Sequence, residues 1–490
     1  MLLPECVEDF VGPENAVRVI EAFVEGLDLA KLGFPLLDEG LPGARAYDPK
    51  VFLKLFLYGY LHRVRSSREL ERATRCNLEV IWLLRRLTPD HWTINDFRRE
   101  HRTRFKELFR EFNLLCGKLE LFSKELIALD GTFLKGVNNP ARNFTKGKLE
   151  KLLEAIDERT ERYLATLETG DQEAERQGQG AVGGPQGKGK KEAPAKPLRD
   201  QLAQLQEERQ KYAELLEQLR AEPGQQISLT DPESRLLHKG GQSVVGYNAQ
   251  IAVEGEHHFI VAQEVTRDPN DTQQLAPMAE AASAALGAES LTALADGGYY
   301  NLEQLQRCAA QKIVAHVPAP KPARVAGDGT YPDTSFRYDA QADAFHCPQG
   351  QELPRHKDTQ KPGGGGTRKV YYSTSACRHC PVREACTKGE FRRITVHEHA
   401  ATAEAVRKRM EEKPELFARR KGLVEHCFGT LKFWMGHAAF LTRGLEMVRA
   451  EFSLSCLGYN LRRLLNLVSV PTLLAALRGE VAPPVAVHRP

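Results

Sequence analysis

Apolar residues change period several times along this chain. In residues 1–120 they recur at helical spacing. Ser66-Ser67-Arg68-Glu69-Leu70-Glu71-Arg72 opens with capping serines, and Leu78, Val80, Ile81, Leu83 and Leu84 continue an apolar face. Thr88-Pro89-Asp90-His91 interrupts the helix, and Thr93-Ile94-Asn95-Asp96-Phe97-Arg98-Arg99 begins another. The pattern fits two short helices about a polar turn, as in a helix-turn-helix with arginines on the second helix. It fits a plain helical bundle almost as well.

Further on the period shortens. Leu126-Ile127-Ala128-Leu129 ends in Asp130-Gly131, and Leu291-Thr292-Ala293-Leu294-Ala295 ends in Asp296-Gly297-Gly298-Tyr299. Each reads as a buried strand that delivers one aspartate to a sheet edge. Gly246–Val253 and His258–Gln263 alternate about a Glu-Gly-Glu turn, a β-hairpin, and Ile313–Val317 is one more strand. Helices are expected near 271–287 and 302–311. The order strand, long insert, strand, strand, helix, strand, helix, strand predicts a mixed α/β sheet with helices on its faces.

Two inserts interrupt this order. In the first, Leu149, Leu152, Ile156 and Tyr163, and later Leu198, Leu202, Leu205, Tyr212, Leu216 and Leu219, step at near-heptad spacing. A Gly/Gln/Lys/Pro stretch, Gly178–Pro197, separates them, so an antiparallel helical hairpin with a flexible tip is expected. The seam would close within one chain or against a second copy. The second insert, 319–400, is marked by proline, glycine and cysteine. A helical C-terminal region carrying Glu425 follows, and 457–477 reads as a last apolar helical segment.

Composition adds limits. The 490 residues are 41% hydrophobic and 27% charged, enough for a large core and more than one domain. No apolar run reaches the roughly 18 residues that span a bilayer, and no secretory signal opens the chain, so no membrane partner and a cytoplasmic location are expected. A net charge of +3 does not by itself signal nucleic acid, but eleven arginines between Arg63 and Arg104 do crowd one region, and contact with phosphates is the reading for the cluster. Of ten cysteines, Cys347, Cys377, Cys380 and Cys386 group together. They are either a four-thiolate structural Zn²⁺ site or free thiols.

The third acid lies in Lys421-Gly-Leu-Val-Glu425-His-Cys-Phe-Gly-Thr-Leu-Lys432, where Lys432 follows two helical turns after Glu425 on the same face. Three carboxylates gathered by folding hold hard divalent cations. These residues resemble the DDE transposases of bacterial insertion sequences, built on a ribonuclease H-like fold. The resemblance implies Asp130, Asp296 and Glu425 as catalytic metal ligands for two Mg²⁺ ions, with Mn²⁺ as a substitute. It matches Lys432 to the lysine of the family's Tyr-x2-Arg-x3-Glu-x6-Lys signature. The signature's tyrosine and arginine positions are here Ala418 and Lys421, with Phe417 and Arg420 one residue out of phase.

The resemblance further implies an N-terminal helical domain that binds the element's ends, which tips the choice toward a DNA reader. Arg68, Arg72, Arg98, Arg99, Arg420 and Lys432 are the expected DNA contacts. The implied partners are terminal inverted repeats, target DNA and a second copy of the chain in a homodimer on DNA. Expected boundaries are 1–120 (DNA binding), 121–146 and 227–318 (first parts of the core), 147–226 (helical hairpin), 319–400 (cysteine insert), 401–470 (last part of the core) and 471–490 (tail). The alternatives are a catalytically retired, transposase-derived DNA-binding protein and a ribonuclease H-like nuclease.

Overall fold

The computed structural model describes residues 6–35, 47–178, 195–221, 226–239, 241–320, 331, 335–339, 341–360 and 367–480. The tip of the first insert, 179–194, and the end of the tail, 481–490, lie outside the described residues.

Six helices come first: α1 (Ala16–Glu25), α2 (Pro49–Leu61), α3 (Ser67–Cys76), α4 (Leu78–Leu83), α5 (His91–Glu100) and α6 (Arg104–Lys118). Next are β1 (Leu126–Lys135), β2 (Asn143–Phe144), α7 (Lys146–Gly178), α8 (Ala195–Ala221), β3 (Ile227–Ser228), β4 (Arg235–Lys239), β5 (Gln242–Glu254) and β6 (Ile260–Thr266). The chain continues through α9 (Leu275–Leu286), β7 (Leu291–Leu294), α10 (Leu302–Ala310) and β8 (Ile313–His316). Five strands follow, β9 (Arg337–Asp339), β10 (Ala344–His346), β11 (Glu352–Gln360), β12 (Thr367–Tyr371) and β13 (Ile394–His397), with α11 (Thr374–Arg378) and α12 (Arg383–Cys386) before the last. The end is helical: α13 (Ala400–Glu412), α14 (Pro414–Gly429), α15 (Leu445–Leu467) and α16 (Val470–Leu477).

Two compact units divide the chain, one of 1–132, 248–438 and 449–490, the other of 133–247 and 439–448. In the first, the sheet order is β6–β5–β1–β7–β8, with β1, β7 and β8 parallel and β6 antiparallel to β5. This is the mixed, ribonuclease H-like sheet expected from the sequence, with helices on its faces. Ile127, Leu129, Ala293 and Ala295 share one core with Leu275, Met278 and Ala282 of α9, Leu305 of α10 and Val406 of α13. Asn460 of α15 receives the Ile260 N–H at 2.9 Å and donates to Asn113 of α6 at 2.9 Å, tying both helices to β6.

The N-terminal helices are built around α2, which is buried along almost its whole length. Its one charged member in that core, Lys54, is compensated by Glu25 at 2.8 Å, as a buried ammonium requires. Arg65, just past α2, pairs with the fully buried Glu451 of α15 at 3.1 Å and donates to the Gly436 carbonyl at 2.7 Å. Among the described residues, no helix is long and apolar enough to cross a membrane.

In the second unit, α7 and α8 pack on each other as the expected hairpin. The seam closes within the chain: Leu215, Leu216 and Leu219 bury against Phe144, Leu149, Leu152 and Leu153. Arg209 crosses between the helices to Asp157 at 2.6 Å. Back in the first unit, the cysteine insert forms an antiparallel sheet, β13–β12–β11–β10–β9, in a stretch marked in sequence only by proline, glycine and cysteine.

Candidate active site

Strands β1 and β7 place two acids side by side. Their parallel register pairs Leu126 with Thr292 and Ala128 with Leu294, and continuing it by two residues sets Asp130 opposite Asp296. β7 ends just before Asp296, whereas β1 runs on through Asp130 to Lys135; the two carboxylates are 17% (Asp130) and 32% (Asp296) exposed. Each accepts a nearby backbone N–H. Asp130 Oδ1 accepts the Gly131 N–H at 2.9 Å, and Asp296 Oδ1 accepts the Gly298 N–H at 2.8 Å.

Arg420 of α14 lies between them. Its Nη1 is 3.5 Å from Asp130 Oδ1 and donates to the Leu129 carbonyl at 3.4 Å, and its Nη2 is 3.9 Å from Asp296 Oδ2. The guanidinium is largely buried and reaches both acids. The helix explains its direction. Leu423, Val424 and Cys427 form the inward face of α14, and Arg420 stands three and four residues before the first two.

Glu425 points elsewhere. Five residues after Arg420 it is turned by about 140° around the helix. Its side chain is 58% exposed and faces Lys421 at 3.9 Å. The structure therefore brings Asp130 and Asp296 together and does not bring Glu425 to them. Among the described residues, no group of three or more His, Cys, Asp or Glu is placed to hold a metal ion.

Lys432 does reach the site. It lies in a π-helical turn, Thr430–Trp434, and its ammonium hydrogen-bonds the Thr132 hydroxyl, two residues beyond Asp130. The next two residues, Phe433 and Trp434, are 81% and 60% exposed. Trp434 also lines a cavity of about 220 Å³ with His426, Arg462 and Arg463. The guanidinium of Arg63 lies over the Trp434 ring, 5.5 Å from its centre.

The other expected DNA contacts separate. Arg68 and Arg72 are exposed on α3. Arg99 is exposed on α5 but pairs with Asp96 at 3.0 Å. Arg98 is a correction, because it is buried and donates to Asn95 Oδ1 at 3.1 Å. It follows Ile94 and Phe97 at helical spacing and belongs to the inward face of α5. Arg68 and Arg72 on α3 and Arg99 on α5 are thus at the surface, and Arg98 is not.

Cys347, Cys377, Cys380 and Cys386 line one small cavity with Phe336 and Leu353, and all ten cysteines are free thiols. Burial raises the Cys386 thiol, and the neighbouring Cys377, Cys347 and Cys380 raise it further, against Arg392. Nothing in this arrangement supports the zinc alternative.

Sequence reasoning missed the polar floor of the site. Asn248, Gln250, Asp271 and Tyr299 are all buried there, and the Tyr299 hydroxyl donates to the Gln250 carbonyl. Burial pushes the Tyr299 phenol well up, and the charges of Asp271, Asp130 and Asp296 push it further, against Arg420.

Two family models match the chain. One, described as a transposase DDE domain, matches residues 346–465, which include Arg420, Glu425 and Lys432 but neither Asp130 nor Asp296. The other, described as a transposase domain (DUF772), matches residues 5–100. No curated protein and no solved structure matches the chain. With its ribonuclease H-like sheet, these two matches support a DDE transposase of an insertion sequence.

Proposed function

We propose that this transposase binds the ends of its own insertion sequence, cleaves DNA by metal-dependent phosphodiester hydrolysis, and joins the 3′ ends to target DNA in the bacterial cytoplasm. The observation that carries the reading is the pair Asp130 and Asp296, held side by side on parallel strands with a single guanidinium between them. Oxygen-only donors of this kind suit Mg²⁺ or Mn²⁺, and Arg420 stands where a cation is needed to offset two carboxylates.

Asp130 and Asp296 would hold the metal, and Glu425, on the adjoining helix, is the proposed third acid. When bound, divalent ions activate the attacking oxygen and stabilise the leaving one. The chain's own residues do the rest. Arg420, released from the acids, and Lys432, beside Thr132, are placed to neutralise phosphate charge. Phe433 and Trp434 present flat apolar surface to bases beside that phosphate. The α3 face with Arg68 and Arg72 supplies contacts to duplex phosphates. Two copies acting on paired ends complete the reaction.

The test is joining of a labelled oligonucleotide carrying the element's ends into a plasmid with Mg²⁺. Joined product supports the proposal. Binding without cleavage indicates a retired DNA-binding protein, and cleavage without joining indicates a nuclease.

A further inference from the structure

Asp271, in the loop between β6 and α9, is only 6% exposed, and neither acidic motif includes it. Its Oδ1 accepts from Asn248 Nδ2 at 2.8 Å and from Gln250 Nε2 at 2.6 Å. The Tyr299 hydroxyl occupies the carbonyl end of Gln250, which fixes the amide end toward Asp271. Gln250 Nε2 also donates to Asn248 Oδ1 at 2.9 Å, which turns the Asn248 amide nitrogen the same way. Donors therefore converge on Asp271 from two side chains. Such a set satisfies the polar oxygens of a buried side chain and fixes its orientation.

The same carboxylate lies close to the backbone beside both acids. A Cβ added at Gly131, in β1 next to Asp130, would meet Gln250 Nε2 first and would lie 2.7 Å from Asp271 Oδ1. One added at Gly298, two residues past Asp296, would lie 2.9 Å from Asp296 Oδ1 and 3.8 Å from Asp271 Oδ2. Gln250 and Asp271 thus fill the space beside Gly131, and Asp271 faces Gly298. The charges of Asp271, Asp130 and Asp296 all act on the buried Tyr299 phenol, against Arg420.

We propose that Asp271 is a fourth carboxylate of the site, a positioning residue that sets the β1 backbone at Asp130 and the turn after Asp296 at the spacing a divalent cation needs and adds negative field to it. The proposal rests on the metal-dependent reading above. Side chains that orient metal ligands in this way typically change metal affinity by about 10–100-fold when removed.

Mn²⁺ titration of the full-length protein, followed by the electron paramagnetic resonance of the free ion, tests it beside a thermal melt. Asp271→Asn can keep its oxygen toward Asn248 and Gln250 while losing the charge. It should bind Mn²⁺ about 10–100-fold more weakly at an unfolding temperature near that of the unaltered chain. A purely structural role would lower the melt and leave the affinity of the folded protein alone. If Asp271→Asn does not fold, Gln250→Met removes one donor at similar volume and should weaken Mn²⁺ several-fold; unchanged affinity in the variant that folds overturns the proposal. Asp130→Asn separates the two claims. If it abolishes Mn²⁺ binding while Asp271→Asn leaves it intact, only the role of Asp271 falls. If Asp130→Asn binds as well as the unaltered chain, the metal reading fails and Asp271 with it.

Discussion

Lys432 and Thr132 lie 300 positions apart in sequence, yet the ammonium of one hydrogen-bonds the hydroxyl of the other. The contact anchors the π-helical turn after α14 against β1, beside Asp130. It also keeps a positive charge beside Asp130.

Lys432→Met should therefore reduce cleavage and leave folding intact. A hydrogen bond to a charged group contributes about 1.5–3 kcal/mol, so a loss of roughly 10–100-fold in cleavage rate is expected. Single-turnover cleavage at saturating DNA and Mg²⁺ measures it. A rate within twofold of the unaltered chain would remove Lys432 from the chemistry.

Arg420 offsets the mutual repulsion of Asp130 and Asp296. Arg420→Ala should lower the unfolding temperature in EDTA, by about 2–4 °C for each kcal/mol lost. Mn²⁺ should narrow the gap, because the ion takes over the compensation of the two acids. A gap of equal size with and without Mn²⁺ would show that Arg420 acts through packing alone.

The strands that carry Asp130 and Asp296 were legible because a short apolar run ending in Asp-Gly has few other readings. The α7–α8 seam was legible through its leucine period. Arg420 was harder, since the family signature draws attention to position 421. The inward residues Leu423, Val424 and Cys427 already put position 420 on the buried side. Arg98 could have been read in the same way from Ile94 and Phe97. Asp271 gave no local signal: Asp268-Pro269-Asn270-Asp271 reads as a turn, and its burial comes from contacts with β5 that only folding creates. Strand β11 was invisible because Arg355, His356, Lys357 and Asp358 are all exposed, so no apolar alternation marks it.

His437 links stability to pH. Its Nδ1 faces Arg65 Nη1 at 2.9 Å and the Ser455 hydroxyl at 2.7 Å, and its ring stacks on Tyr60, with Glu451 beside Arg65. Burial, and then the Arg65 charge, hold its pKa well below the usual 6.5. The unfolded chain thus binds this proton more readily than the folded one. The contribution is fully present above pH 6.5 and is lost as pH falls below it, at up to about 1.4 kcal/mol per pH unit. Thermal melts between pH 7 and 5 should show a smaller acid loss for His437→Gln. An unchanged slope would assign the acid sensitivity to other groups.

The helical hairpin provides the last prediction. Leu215, Leu216 and Leu219 of α8 bury against Leu149 of α7 within one chain, and Arg209 pairs with Asp157 across the same seam. The seam around Leu216 is thus filled by its own chain. Replacing Leu216 by Asp should cost more than the 2–5 kcal/mol typical of truncating a buried leucine, since it also buries a charge. The hairpin should open by itself, because its core is separate from the one under the sheet. Limited proteolysis should then cut first between residues 146 and 221, with the first unit left intact. If the variant instead resists proteolysis like the unaltered chain but fails to assemble on paired ends, the seam holds two transposases together and not one hairpin.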